Sequence, residues 1–265
     1  MSSFDFIIDN IKFSYSSLTT YETCPYSFKL TYIDKCEREE NFYGQYGTLV
    51  HETMYQYFSN QLDMFELSGY FLDNYDKVVQ AYPPVYPAGL GETYRDAGLE
   101  FFDNFSFDKS GYDVIMNEEK VEFEFDDGVQ FVGRPDLVLF EKRKGDFSLV
   151  DYKTSAPFKI NRRTGNEVTD TKKIAGYHKQ MYIYTYALRN YKFTPINKIT
   201  LWFTRPNRKL TIDWKEADEE KAIRWLKRQV SAIKKDEKFL FNNSNSYFCN
   251  NLCSVRESCE YRPEI

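Results

Sequence analysis

The sequence Gly133-Arg134-Pro135-Asp136 is followed, fourteen residues later, by Asp151-Tyr152-Lys153, and this pair of segments decides the fold. The second segment ends an apolar, strand-like run over 147–153, and the first belongs to a predicted strand over 129–141. Because side chains alternate along a strand, Asp151 and Lys153 are expected on one face and Tyr152 on the other. We expect Asp136 and Asp151 near the C-terminal ends of neighbouring strands, where their carboxylates can converge.

The pattern around these segments predicts a mixed α/β (α+β) fold in which helices flank a mixed sheet. Asp127-Gly128 is a hairpin turn signal between two of the strands. Helices are predicted over 16–34, 45–60, 175–191 and 215–236 and within 61–107, with a break at 82–87; strands are predicted over 118–125, 129–141, 147–153, 196–204 and 208–213. We interpret residues 1–265 as a single domain, with a mainly helical part at 14–110, a core at 111–240 and a cysteine-rich tail at 241–265.

Composition limits the class of protein. The 22 Tyr and 23 Phe residues among 265 can build a large core. A net charge of −5 argues against a passive nucleic-acid binder, although bound divalent metals would supply positive charge at a site. No apolar run reaches membrane-spanning length, and the first residues lack the features of a signal peptide, so we predict no membrane association and a cytoplasmic location.

Paired aspartates followed by a lysine point to metal-assisted hydrolysis. Carboxylate oxygens are the ligands that Mg²⁺ and Mn²⁺ prefer, and Asp136 and Asp151 would share one ion. Such ions neutralise an anionic phosphodiester and activate a bound water. Lys153 would orient that water or stabilise the developing charge.

Four elements occur in one order along the chain: Gly47-Thr48-Leu49-Val50-His51, Gly-Arg-Pro-Asp136, Asp151-Tyr-Lys-Thr-Ser155 and Gln180-Met181-Tyr182-Ile183-Tyr184. Together they resemble the RecB-type PD-(D/E)xK nucleases, which implies a restriction-endonuclease-like core. The resemblance also implies that His51, Asp136, Asp151 and the Tyr152 carbonyl are metal ligands. It further implies that Gln180 and Tyr184 lie along the active site and contact the substrate strand; the alternative is that this tyrosine-rich helix is part of the core.

One departure from the family is the long gap between Lys153 and Gln180. The additional stretch, about 158–174, is rich in lysine and arginine and has a turn signal at Thr164-Gly165-Asn166. It is either a hairpin that grips DNA phosphates or an unstructured surface loop.

Five cysteines are present, and three of them cluster near the C-terminus as Cys249, Cys253 and Cys259. The stretch around Cys24, Tyr-x-x-Cys-Pro-Tyr-x-Phe, resembles the N-terminal cysteine motif of iron–sulfur RecB-type nucleases, which include AddB and the CRISPR-associated members. That resemblance implies a [4Fe–4S] cluster on these four cysteines. Structural Zn²⁺ is the alternative, although paired Cys-x2-Cys knuckles are missing. We interpret Cys36 as a spare thiol.

The resemblance implies a metal-dependent DNA exonuclease that uses Mn²⁺ or Mg²⁺ and acts on ends or single strands. Two alternatives stay open. One is a structure- or site-dependent endonuclease of the same superfamily. The other is a non-catalytic DNA-binding subunit of a repair or spacer-acquisition complex, which the intact Asp136, Asp151 and Lys153 disfavour.

Overall fold

A five-stranded mixed sheet forms the centre of the molecule. The computed structural model describes residues 4–125, 127–161, 163–191, 196–242 and 244–262. The sheet order is β1-β4-β5-β8-β9, with bounds Tyr112–Asn117, Leu137–Glu141, Asp146–Lys153, Ile196–Phe203 and Arg208–Asp213. The central pair β5 and β8 is parallel, and the other pairs are antiparallel. This architecture confirms the predicted mixed α/β fold.

Helices cover both faces of the sheet, since alternate residues of β5 enter two different cores. Leu149 belongs to the core shared with α2, α7 and α8, whereas Val150 and Tyr152 belong to the core shared with α4, α5 and α6. The helices are α1 (Asp5–Asp9), α2 (Tyr15–Thr23), α3 (Pro25–Phe28), α4 (Phe42–Phe58), α5 (Leu67–Val78), α6 (Leu90–Asp103), α7 (Thr171–Tyr191), α8 (Glu216–Lys235) and α9 (Ser246–Asn251). None of the described helices combines the length and the apolar character needed to cross a bilayer.

The predicted helix over 16–34 is interrupted in the structure. Ser14 caps α2 by accepting a hydrogen bond from the Ser17 N–H, and α2 ends before Cys24, whose backbone is extended. Pro25 then begins α3, and a π-helical turn over Lys29–Ile33 follows it. Proline is favoured at a first helical position, so the Cys-Pro pair explains the restart.

The predicted strand over 129–141 is two strands. Residues Gln130–Gly133 form β3, which pairs with β2 (Val121–Glu124) in a separate two-stranded sheet, while β4 begins at Leu137 in the main sheet. Pro135 has no N–H to donate to a ladder, which accounts for the break. Asp136 therefore lies just before the start of β4 and not at a C-terminal strand end, which corrects our expectation. Because β4 runs antiparallel to β5, Asp136 still lies at the same sheet end as Asp151.

The additional stretch after Lys153 is a hairpin of β6 (Phe158–Ile160) and β7 (Glu167–Thr169). Arg208 at the start of β9 pairs with both carboxylate oxygens of Glu167, at 2.8 and 3.1 Å, and lies 4.2 Å from the ring centroid of Phe158. These contacts hold the hairpin beside the end of β8. Residue 162, near its tip, lies outside the described residues.

Candidate active site

Three donor side chains from distant parts of the chain meet at one end of the sheet. His51 lies in α4, Glu118 follows β1, and Asp136 precedes β4. His51 Nδ1 is 2.8 Å from Glu118 Oε1 and 3.6 Å from Asp136 Oδ1. One ligand atom from each residue lies within 4.8 Å of the others, so the three side chains could hold a metal ion.

The second half of the site is a buried ion pair between Asp151 and Lys153 at the end of β5. Lys153 Nζ is 2.7 Å from Asp151 Oδ2, and Asp151 is only 1% exposed. Lys153 also donates a 3.0 Å hydrogen bond to Oε1 of Gln180 on α7. The ammonium group is therefore fixed between a carboxylate and an amide, as the predicted shared face of Asp151 and Lys153 requires.

The backbone of Tyr152 joins these two halves. Its N–H donates a 2.6 Å hydrogen bond to Asp136 Oδ2, and its carbonyl oxygen lies 3.2 Å from His51 Nε2. The side chain points to the opposite face, where it is buried against Phe58 and Trp202. The Tyr152 carbonyl therefore lies beside the donor group.

The electrostatics of the site favour a bound cation. Burial raises the pKa of Asp136 to about 7; the nearby His51 opposes that rise, and Asp151 and Glu118 add to it. Burial lowers the pKa of His51, but Asp136 and Glu118 outweigh it and raise the value to about 9. Burial likewise lowers the pKa of Lys153, yet Asp151 and Asp136 raise it above its usual range. Three carboxylates gathered out of water require compensating positive charge.

Gln180 and Tyr184 share one face of α7 but have different surroundings. Gln180 Nε2 donates to the Tyr184 hydroxyl at 3.2 Å, and Gln180 also contacts Lys153. Tyr184 is only 8% exposed and packs against Gly133, where an added Cβ would lie 2.7 Å from the ring. Gln180 is thus at the edge of the site, while Tyr184 supports it from the core.

Glu118 is the site residue that the sequence analysis missed. The predicted strand over 118–125 included it, whereas in the structure it follows β1 with a φ of 55° and donates its N–H to the carbonyl of Asp136. A left-handed backbone is costly for glutamate and is found mostly where the surroundings impose it. The signal in the sequence is weak, because Glu118-Glu119 resembles any polar strand start.

The chemistry of these donors fits Mg²⁺ or Mn²⁺. Carboxylate and carbonyl oxygens suit both ions, and an imidazole shifts the preference somewhat towards Mn²⁺. His51, Asp136, Asp151 and the Tyr152 carbonyl are the groups that would hold the ion, with Glu118 as an additional carboxylate. The site opens into a cavity of about 540 Å³ that Gly47, Thr48 and Arg134 also line.

One pocket is lined by all four cysteines that the sequence analysis selected. Cys24, Cys249, Cys253 and Cys259 all border it, and Cys36 does not. Burial raises the pKa of Cys249 and of Cys259, and neighbouring thiols raise both further. Among the described residues, no three thiol sulfurs lie within 4.8 Å of one another.

The C-terminal tail packs against the first helices around this pocket. Tyr26 donates its hydroxyl to Glu260 at 3.0 Å, and Asn242 donates to the Thr23 carbonyl at 2.8 Å. His178 on α7, which matches none of the four motifs, is half-buried, and its Nε2 has no partner in the described part of the chain.

The chain was compared with known structures and protein families. Among solved structures, a candidate exonuclease from Eubacterium rectale is similar with a TM-score of 0.52 and 14% identity, over 96% of this chain and 90% of that one. The protein SSO0001 is similar with a TM-score of 0.42 and 14% identity, over 96% and 88% of the two chains. No curated protein matches the sequence. The sequence profile of the PD-(D/E)XK nuclease superfamily matches residues 12–260, and the chain therefore belongs to that superfamily.

Proposed function

We propose that the protein is a metal-dependent exonuclease that hydrolyses phosphodiester bonds in DNA. The observation that carries this proposal is the meeting of His51, Glu118 and Asp136 beside the Asp151–Lys153 ion pair. When bound there, Mg²⁺ or Mn²⁺ would neutralise the phosphate and lower the pKa of a water ligand. Side chains of the protein position the attacking water and offset the developing negative charge.

Lys153 is the group that positions the attacking water and offsets negative charge as it develops. Its ammonium is held by Asp151 and Gln180, so it is oriented before substrate arrives. Preorganised charge of this kind contributes most to catalysis where water is excluded. Asp136 is fixed by the Tyr152 N–H and directs its other oxygen towards His51.

The exonuclease mode rests on the resemblance of the four motifs to the RecB-type nucleases. The description of the Eubacterium rectale protein as a candidate exonuclease accords with it. A preference for ends or single strands follows from the same resemblance.

Cys24, Cys249, Cys253 and Cys259 hold a [4Fe–4S] cluster in this proposal. Tetrahedral zinc with Zn–S bonds of about 2.3 Å would place its four sulfurs roughly 3.8 Å apart. No three of the described sulfurs lie within 4.8 Å of one another, so they are not gathered as a bound zinc ion would gather them. In this proposal the cluster fastens the tail to α2 and α3.

The nuclease proposal is tested with end-labelled DNA. Linear single and double strands labelled at the 5′ or 3′ end would be incubated with Mn²⁺ or Mg²⁺, beside circular DNA of the same sequence. We expect stepwise loss of nucleotides from linear strands, intact circles and no cleavage in EDTA. Nicking of the circles would replace the exonuclease mode with the endonuclease alternative. DNA binding without cleavage under every metal condition would support the non-catalytic alternative.

The cluster proposal is tested separately by metal analysis. Protein purified under nitrogen should be brown and contain about four iron and four sulfide per chain, as a four-iron cluster requires. Stoichiometric zinc without iron would contradict the cluster and would leave the four cysteines as a zinc site.

A further inference from the structure

A group of basic side chains lies beside the candidate active site without an assigned role. Arg205 follows β8, and β8 runs parallel to the strand that carries Asp151 and Lys153. Phe203 is in register with Lys153, and the Thr204 N–H donates to the Lys153 carbonyl at 3.0 Å. Arg205 therefore follows the strand next to the one that carries Lys153. It lies two residues beyond the level of Lys153, at the same end of the sheet.

The guanidinium of Arg205 is held by an aromatic ring and not by an acid. Its Cζ lies 4.0 Å from the ring centroid of Tyr94, a cation–π contact, and the guanidinium also interacts with the Tyr94 hydroxyl. In the described part of the chain, Arg205 forms no ion pair, and its buried Nε has no hydrogen-bond partner. A partly buried cation without an acid calls for an anion from outside the chain.

Two lysines of the hairpin region lie close enough to act electrostatically on each other, and Arg205 acts on one of them. Lys159 lies in β6 and Lys173 in the first turn of α7, and neither forms an ion pair within the described residues. Burial lowers the pKa of Lys173, and the positive charges of Lys159 and Arg205 lower it further. Asp170 opposes that lowering, and it also accepts a hydrogen bond from the Lys173 N–H.

The hairpin is held so that these lysines stay near Arg205. The bidentate contact between Arg208 and Glu167 ties β7 to β9, and the rings of Phe158 and Phe203 meet at 5.3 Å between centroids. Tyr177 lies on the path to the active site, with its ring centroid 4.8 Å from Lys153 Nζ and 6.1 Å from that of Phe203. Like charges placed together in a rigid frame repel one another unless an anion lies between them.

We infer that Arg205, Lys159 and Lys173, the basic arc, bind backbone phosphates of the DNA strand next to the phosphate that is cleaved. This inference rests on the proposed nuclease function and names the substrate contact of the same site. Arginine matches phosphate oxygens with two parallel hydrogen bonds, and lysine adds point charge. Contacts of this kind set the position of the strand without reading its sequence. The chain has a net charge of −5, so the positive charge that binds DNA is concentrated in the basic arc.

The test measures how DNA binding depends on salt, in EDTA so that no strand is cut. The probe is a fluorescein-labelled single strand of twenty nucleotides, followed by anisotropy. The variants are Arg205→Gln, Lys159→Gln, Lys173→Gln and the triple variant. Matched controls are Arg224→Gln and Lys221→Gln on α8, which each remove one positive charge paired with Glu220 or Asp218.

For single strands, each phosphate contact contributes about 0.7 to the slope of log K against log salt. We expect each arc variant to lower that slope by about 0.7 and the triple variant by about 2, while the controls keep the wild-type slope. In cleavage assays with Mn²⁺, the triple variant should raise KM at least about tenfold and change kcat less than about threefold. The lost contacts bind the substrate and the transition state equally well. Melting curves check that each variant is folded; Lys159 is exposed, so its variant stays informative if Arg205→Gln unfolds.

Failure of this inference can be separated from failure of the nuclease proposal. If the wild type cuts DNA but the triple variant keeps both its salt slope and its KM, the basic arc does not bind the strand. If the slopes fall as expected but no metal supports cleavage, the basic arc binds backbone phosphates, while its place beside a cleaved phosphate and the nuclease proposal both fail. A slope loss confined to strands with a 5′-terminal phosphate would overturn binding to backbone phosphates. Absence of wild-type DNA binding would overturn both.

Discussion

The N–H of Tyr152 donates a 2.6 Å hydrogen bond to Oδ2 of Asp136. The contact links the strand that carries Asp151 and Lys153 to the residue just before β4, sixteen residues earlier. It fixes one oxygen of Asp136 and leaves the other facing His51. The site therefore depends on a backbone group as much as on side chains.

Asp151→Asn should lower the cleavage rate at least about 100-fold, which corresponds to about 2.7 kcal/mol of transition-state stabilisation. The amide keeps the shape of Asp151, whose side chain is buried in the structure. The loss reflects a missing negative metal ligand and a freed Lys153. The rate is measured on end-labelled DNA with Mn²⁺, beside Asp213→Asn, an exposed acid at the end of β9. Cleavage by Asp151→Asn at the wild-type rate would remove Asp151 from the active site.

Lys153→Met should lose most of the cleavage activity but keep Mn²⁺ binding. Methionine fills similar space, and the ammonium group acts on the water and the phosphate without being a metal ligand. Removing a positive charge beside Asp151 and Asp136 should leave Mn²⁺ affinity equal to or tighter than that of the wild type. Titration calorimetry of both proteins measures this affinity. Weaker Mn²⁺ binding in Lys153→Met would contradict the role assigned to the lysine.

The pairing of Asp151 with Lys153 was predictable because it is local. Alternation along β5 places Asp151 and Lys153 together whatever the rest of the chain does. The convergence of His51 with Asp136 was expected only through the family resemblance, since these residues are far apart in sequence.

What could not be predicted depends on tertiary contacts. β1 pairs with β4 over a distance in sequence that no periodicity encodes, so Glu118 was assigned to a strand although it lies between β1 and β2. We expected Asp136 near the end of a strand, but the break before β4 places it at the start of one. It lies in the site because β4 pairs antiparallel with β5. The sequence left undecided whether the basic stretch after Lys153 forms a hairpin or an unstructured loop. In the structure it is a hairpin, which the contact between Glu167 and Arg208 holds in place.

The variant Glu118→Gly separates the role of the Glu118 carboxylate from the backbone strain at this position. Glycine adopts a φ of 55° without strain, so the variant should melt at or above the wild-type temperature. Loss of the carboxylate beside His51 should nevertheless weaken Mn²⁺ binding about 10–100-fold, as removal of groups that orient metal ligands does. Lys35→Gly is the control, since exposed Lys35 has a φ of 58°. Equal Mn²⁺ affinity in wild type and Glu118→Gly would mean that Glu118 has no part in the site.

Gly133→Ala should lower both stability and activity, whereas Gly98→Ala should lower stability alone. A Cβ at Gly133 would lie 2.7 Å from the Tyr184 ring, and a Cβ at Gly98 would lie 2.3 Å from Phe71. Overpacking of this kind costs about 1–3 kcal/mol, or roughly 2–4 °C of melting temperature per kcal/mol. Only the first change displaces Tyr184, which hydrogen-bonds Gln180 and so supports Lys153.

The two glycine variants are compared by kcat per folded molecule, well below either melting temperature. We expect Gly98→Ala to match the wild type and Gly133→Ala to fall below it. If both retain the wild-type kcat, Tyr184 has no influence on Lys153 through Gln180, and its role is confined to core packing.

Cys259→Ser should destabilise the protein far more than Cys36→Ser. Cys259 lines the pocket that joins the C-terminal tail to Cys24 at the start of α3, whereas Cys36 lies outside that pocket. If a cluster is held there, loss of one thiolate releases binding free energy that is also folding free energy. The tail after residue 240 should then become accessible to proteases, because the hydrogen bond of Tyr26 with Glu260 is near the surface and holds it weakly.

Thermal melts and limited proteolysis of the two cysteine variants, prepared under nitrogen, provide the measurement. Iron analysis is run on the same samples, so that loss of metal and loss of stability can be compared. We expect Cys259→Ser to lose iron, melt lower and release a C-terminal fragment, with Cys36→Ser matching the wild type in all three. Equal melting temperatures and equal protection of the tail would show that the four-cysteine pocket does not fasten the two ends of the chain, whichever metal it binds.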